Sequence, residues 1–254
     1  MTEGVSLFDA GWLPWLGVCA LAFAASILGG LAGYGTGLIL PVFLAPLVGI
    51  ANIVPVMALA MFLNNGSRVV AFWRDIQWRH VRRMLLLGLP ACVLGAWGYT
   101  QLRSSAVALL LGGFLIFSVP LRRLLQRLDR KLTAGPEVGA GAIFGVLNGS
   151  LAGVGVLLVA LLMAAGVVGP ALIATDAAIS VVMGVAKVAL FGSLARLDLQ
   201  LASAALLVGL CTMPGAFVAR RLLDHIPARV HGWVMEATIL VGGTALVLQG
   251  LRTA

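Results

Sequence analysis

The chain alternates long apolar runs with short polar interruptions. Runs of about twenty apolar residues recur from Trp12 to Gly250, and most Arg and Lys fall in three short clusters at 74–83, 122–131 and 220–229. At 1.5 Å per residue, such a run crosses the ~30 Å hydrocarbon core of a bilayer as one helix. The pattern predicts spanning helices at 51–72, 84–100, 105–121, 169–191, 199–219 and 230–250. Pro90 and Pro214 fall inside two of them, where membrane helices absorb a kink. Two further apolar segments, 12–50 and 137–168, are each interrupted by glycines. The short alternating segments of a β-barrel are absent from the pattern. The predicted class is therefore all-α: a polytopic helical membrane protein.

The first interruption is Gly29-Gly-Leu-Ala-Gly-Tyr-Gly-Thr-Gly37, with five glycines in nine residues. It recurs as Gly149-Ser-Leu-Ala-Gly-Val-Gly155. Each glycine costs roughly 1 kcal/mol against alanine in a helix interior. Within a membrane, backbone leaves the helix only where protein or a water-filled cavity meets its hydrogen bonds. Both breaks are expected to line a substrate site, although tight bends alone would also call for glycine. At an offset of 120, Leu31-Ala32-Gly33 meets Leu151-Ala152-Gly153 and Ala51-x-Ile53 meets Ala171-x-Ile173. Further on the offset drifts, pairing Pro90 with Pro214. The chain reads as two repeats, 1–132 and 133–254, each a broken segment followed by three spans.

Segment lengths bear on how the repeats are oriented. A single helix from 12 to 50 would be about 58 Å long, and 138–147 and 156–168 are each too short to span. Two limbs around a glycine tip make a re-entrant hairpin, which inverts one repeat relative to the other. The loops agree. With hairpins, the positive-inside rule puts 12 Lys and Arg on the cytoplasmic side and 3 outside, against 11 and 4 with crossings. The basic loop 73–83 corresponds to 192–198, which holds only Arg196. Both termini are then expected outside.

Composition adds little. The chain is 61% hydrophobic, 10% charged and of mean hydropathy +1.08, where a soluble domain carries about 25% charge. The net charge of +8 sits in the loops, so it reports topology, and no nucleic-acid partner is expected. Cys19, Cys92 and Cys211 lie singly in apolar runs and indicate neither disulfides nor a metal site. No cofactor is expected. His80, His225 and His231 lie in or beside loops, no nucleophile pair sits at membrane depth, and neither break ends in the Gly-Lys-Ser/Thr of a phosphate loop. An enzyme is not expected.

Polar residues inside the apolar runs are the candidates for function, because lipid penalises them. Arg68 and Lys187 occupy near-equivalent repeat positions on the helices that follow the two breaks. Snorkelling to the interface is their ordinary explanation, but two equivalent cations also fit an anionic substrate. Asp176 lies about three turns before Lys187, too far to pair with it along one helix. It pairs with another helix or carries a coupling proton. Glu236 reads as a helix-start charge. Asn64 and Asn65 lie deep in their helix, where bonding between helices is the bland reading. Asn148 and Ser150 sit at the second break, where an amide, a hydroxyl and freed N–H groups converge beside a helix N-terminus. The expected binding set is Gly33, Tyr34, Gly35, Thr36, Asn64, Asn65, Arg68, Asn148, Ser150, Gly153, Gly155 and Lys187, with Asp176 as the proton-coupling candidate.

An ordered set of local motifs resembles the TauE/SafE family of sulfite exporters. It consists of Leu-Ala-Gly-x-Gly-x-Gly-Leu from Leu31 followed by Pro41, the Trp73-Arg74-Asp75 loop, Ala174-Thr175-x-Ala177 followed by Lys187, and Met213-Pro214-Gly215-Ala216 running into Arg220-Arg221. The likeness extends from about Gly17 to Leu251. It implies a multi-pass transporter of the bacterial cytoplasmic membrane whose substrates are small sulfur-containing anions, sulfite or organosulfonates. The expectation is a secondary transporter exporting such an anion by alternating access, with the lipid bilayer around it and a homo-oligomer left open. The alternative is a carrier of a cation or other small organic solute through the same glycine-broken helices.

Overall fold

The computed structural model describes residues 11–127 and 133–222, together with 244, 247, 248 and 251. The expected span 230–250 lies almost wholly outside the described residues, as do Glu236, His225 and His231. Nine α-helices are described and no strand is seen among these residues. Five of the helices are long and apolar enough to cross a membrane.

The first broken segment forms α1 (Trp12–Ala32) and α2 (Thr36–Val48), and the second forms α6 (Ala134–Ser150) and α7 (Gly155–Ala164). Between them lie α3 (Ile53–Ala71), α4 (Trp78–Tyr99) and α5 (Ser104–Arg127). The chain continues as α8 (Pro170–Ser193) and α9 (Leu199–Leu222). Pro90 and Pro214 lie inside α4 and α9.

The limbs are less equal than expected. With 21 residues, α1 is about as long as the hydrocarbon core is thick, whereas α2 has 13. With 17 residues, α6 outruns its ten-residue partner α7. The expected limb 138–147 is too short because the helix starts earlier, at Ala134-Gly-Pro-Glu137. Pro in the first turn lacks only an N–H that the helix leaves unpaired, and an acidic residue there meets the positive end of the dipole.

Glycine caps α1 at Gly33 and turns the second tip at Gly153, three residues beyond the end of α6. Gly33 and Gly153, related by the repeat, hold φ of 82° and 85°, a region other residues rarely adopt. A Cβ on Gly33 would lie 2.8 Å from Val159 Cγ2, and one on Gly153 would lie 2.6 Å from Leu38 Cδ2.

The repeats are exchanged rather than side by side. The entering helix of each packs along a span of the other, α1 on α9 and α6 on α4, while α3 and α8 pack at the centre. Small residues permit these contacts. Gly141, Gly145 and Gly149 set α6 against the backbone of α4 at Met84, Gly88 and Cys92. Gly215 of α9 abuts Ser26 of α1, and Gly30 of α1 abuts Ala219. Spacing by four puts glycines on one helix face, where dispersion packing replaces the hydrophobic effect that lipid does not supply.

Contacts at the two ends settle the course of the chain. At one end Tyr99 Oη donates to Ala51 O at 3.0 Å and Arg196 to Thr100 O at 2.8 Å. The start of α1 lies there too, since Trp12 and Trp15 share an apolar groove with Ser203 and Leu207 of early α9. At the other end Arg220 meets Asp75 at 3.2 Å and Gln77 N donates to Thr175 Oγ1 at 3.0 Å. There Glu137, at the start of α6, pairs with His80 and with Arg83 of α4. So residues 12–50 enter and leave at one end, residues 134–169 at the opposite end, and the halves are inverted. Trp73 and Trp78, in edge contact at 5.7 Å, are exposed at the second end as aromatic anchors would be.

Candidate functional site

The inverted hairpins bring their tips together. A methyl group added at Gly37 would touch the Gly153 backbone at 3.4 Å, and one at Gly155 would lie 3.8 Å from Tyr34 Cβ. After each tip a short helix starts: α2 behind Gly35 and α7 behind Val154, neither with a side-chain cap. Leu38, Ile39 and Leu157 find carbonyls within the first turn. The N–H groups of Thr36, Gly37, Gly155 and Val156 have no bonded partner among the described residues. Two helix N-termini therefore border one space, each with free donors and the positive end of its dipole.

That space is a cavity of about 80 Å³, walled by both tips and by α3 and α8. At roughly 10–15 Å³ for each water, it has room for several waters or one small oxyanion.

Among the described residues, the charged ones in its wall are Arg68, Asp176 and Lys187. Arg68, 4% exposed, places Nη2 3.0 Å from Asp176 Oδ2. It also donates to Asn65 Oδ1 at 3.0 Å, Gly33 O at 3.3 Å and Ile173 O at 3.4 Å. Snorkelling is thus not what Arg68 does: it is buried and paired. Its partner Asp176, which the spacing could not place, answers to α3 rather than to Lys187. Lys187 Nζ donates to Asn148 O at 3.0 Å and makes no salt bridge among the described residues.

The two cations play matching parts. Arg68 bonds the carbonyl that ends α1, and Lys187 bonds one in the last turn of α6. Each neutralises the negative end of an entering helix, which leaves the positive ends of the returning helices facing the cavity. Among the described residues, three buried atoms around the site have no partner: Asn64 Oδ1, Arg68 Nε and Asp176 Oδ1. Such atoms cost free energy unless an unseen group satisfies them.

The family model described as sulfite exporter TauE/SafE matches residues 18–246. The chain belongs to the TauE/SafE family. Neither the curated proteins nor the solved structures compared with it gave a match. The family is one of membrane transporters, in keeping with the apolar helices and with a cavity buried between them.

Within this TauE/SafE chain, the cavity gathers Gly33, Tyr34, Gly35, Thr36, Asn64, Asn65, Arg68, Asn148, Gly153, Gly155, Asp176 and Lys187. Ser150 is outside it, because its Oγ folds back to Val146 O at 2.6 Å. Thr36 lines it, but its Oγ1 donates to Ala25 O at 3.0 Å, so the side chain ties α2 to α1. Asn148 turns its Nδ2 toward Met183 Sδ at 3.4 Å. Sequence reasoning missed Met57, Met61, Phe62 and Gly184, which are among the wall residues from α3 and α8. Apolar residues on a spanning helix carry no mark of facing a cavity rather than lipid. The ion cluster of Glu137, His80 and Arg83 was missed as well, since Glu137 reads as the polar edge of an apolar run.

Proposed function

We propose that the protein is a secondary transporter that exports a small sulfur-containing anion, sulfite or an organosulfonate, across the cytoplasmic membrane. The observation that carries this reading is the pair of opposed helix N-termini, whose unbonded amides border a cavity with one excess positive charge. The anion would accept hydrogen bonds from the N–H groups of Thr36, Gly37 and Gly155, and Lys187 and Arg68 Nε would add charge-assisted ones. The sulfur anion itself comes from the family description. Alternating access would follow from relative movement of the two exchanged repeats about their shared site. Asp176 is the proton-coupling candidate, and the bilayer is the remaining partner. A cation carrier is the lesser reading: Asp176 Oδ1 and Asn64 Oδ1 would serve as ligands, but both helix dipoles oppose it.

The test is sulfite flux in proteoliposomes, measured against protein-free vesicles. Wild-type protein is expected to carry sulfite, and Lys187→Met to lose at least about tenfold, the worth of one charge-assisted contact. Wild-type flux equal to that of empty vesicles, or full flux in Lys187→Met and Arg68→Met alike, would overturn the reading.

A further inference from the structure

The cavity that the proposed transport function uses is not lined by donors alone. Asp176, 1% exposed, spends Oδ2 on Arg68 and leaves Oδ1 unbonded; Asn64, 2% exposed, leaves Oδ1 unbonded as well. Both residues line the same space as the free amides. A fully deprotonated anion satisfies the amides but offers nothing to these two acceptors, and it would set its own charge against the Asp176 carboxylate. An occupant that carries one acidic hydrogen satisfies both sets.

The charge balance points the same way. Among the described residues the titratable groups in the wall are Arg68 from α3, Asp176 and Lys187 from α8, and Tyr34 from the first tip. Cys92 of α4 lies behind Asn148, within 3.8 Å of its amide. α2 and α7 bring no ionisable side chain to the wall, and Glu137 of α6 is taken up by His80 and Arg83 at the far end of that helix. The formal excess is a single positive charge, which a monoanion balances and a dianion exceeds.

We infer that the site takes a hydrogen-bearing monoanion of an oxyacid, its oxygens on the amides of α2 and α7 and its acidic O–H donated to the free acceptor of Asp176 or Asn64. For a sulfur substrate this selects hydrogen sulfite over both the sulfite dianion and a sulfonate, which has no acidic hydrogen at physiological pH. The proton then travels on the substrate. The inference rests on the anion-transport reading and narrows it.

Calorimetric titration of the full-length protein in detergent tests it, using sodium sulfite and methanesulfonate on the alkaline side of neutrality. Repeating the sulfite titration in two buffers of different ionisation enthalpy measures protons taken up on binding. The expected results are uptake approaching one proton per sulfite bound, and methanesulfonate binding at least about tenfold weaker, as a buried acceptor left unmatched requires. Asp176→Asn, which puts an amide donor beside the site, is expected to narrow that preference. Sulfite binding with no proton uptake, or equal affinity for methanesulfonate, would overturn the inference and leave the anion site standing. No binding of either anion would overturn the anion site, and the inference with it.

Discussion

Arg68 and Asp176 form a buried ion pair, and its energetics can be separated from transport. Arg68→Met leaves a carboxylate, 1% exposed, without its cation. Removing one partner of a buried pair costs about 3–5 kcal/mol. Asp176→Asn costs less, about 2–3 kcal/mol, because Arg68 keeps three neutral acceptors, at 3.0, 3.3 and 3.4 Å, and the new amide oxygen can still accept. The double variant removes both charges. What remains is the loss of three modest hydrogen bonds, two of them long, or about 2 kcal/mol. The double variant should therefore be more stable than Arg68→Met alone. It should fall short of the summed single effects by roughly 3–6 kcal/mol. Unfolding in mixed micelles, followed by tryptophan fluorescence, gives the four stabilities of the cycle. Additivity within about 0.5 kcal/mol would mean that the two side chains do not act as a pair, and the charge accounting of the cavity would fail.

Four further outcomes follow from the geometry. Gly145→Ala drives a methyl into the carbonyl of Gly88 and should destabilise the α4–α6 contact by more than about 2 kcal/mol, whereas Gly98→Ala, with nothing within 4 Å, should be neutral or stabilising in the same unfolding assay. Glu137→Gln, at 1% exposure, should cost about 2–4 kcal/mol, while Asp75→Asn, in a pair whose side chains are 45% and 32% exposed, should cost under about 1 kcal/mol. Gly155→Pro deletes one N–H at the first position of α7 and also strains Val154, which sits in the α region that proline disfavours in its predecessor; it should weaken sulfite binding at least about tenfold in calorimetry, and Gly155→Ala should not. Cysteines placed at the repeat-equivalent, exposed positions Gln77 and Gln200 should react with a membrane-impermeant thiol reagent from opposite faces, Gln200 from outside; labelling from one face would refute the inverted arrangement.

Much of the architecture is legible in residue order alone. Apolar run length marks the spans because lipid cannot hydrogen-bond a backbone. The glycine motif at 31–35 and 151–155 marks the breaks, since residues with a side chain rarely adopt the φ held at Gly33 and Gly153. The binding set read from the repeat converges on one cavity, with Ser150 as the exception. A hydroxyl near a helix end can bond its own preceding turn, and nothing in the sequence distinguishes that outcome from a hydroxyl aimed at a ligand. Limb lengths were misjudged because the polar start at Ala134–Glu137 resembles a loop until Glu137 is seen buried against His80 and Arg83.

What the sequence determined by itself is a two-repeat, glycine-broken helical membrane protein with a few polar residues at depth. Those properties follow from local rules: hydropathy, helix length and the conformational range of glycine. What only the tertiary structure decided is which of those polar residues meet. Arg68 and Asp176 are more than a hundred positions apart and on different repeats, and no periodicity joins them. Their pairing, and the facing of two helix N-termini across one cavity, arise because each entering helix crosses to pack on the other repeat. Long-range packing therefore gave the two cations helix-end carbonyls as partners, and left the amides of the returning helices and the unbonded Asn64 Oδ1, Arg68 Nε and Asp176 Oδ1 around one cavity.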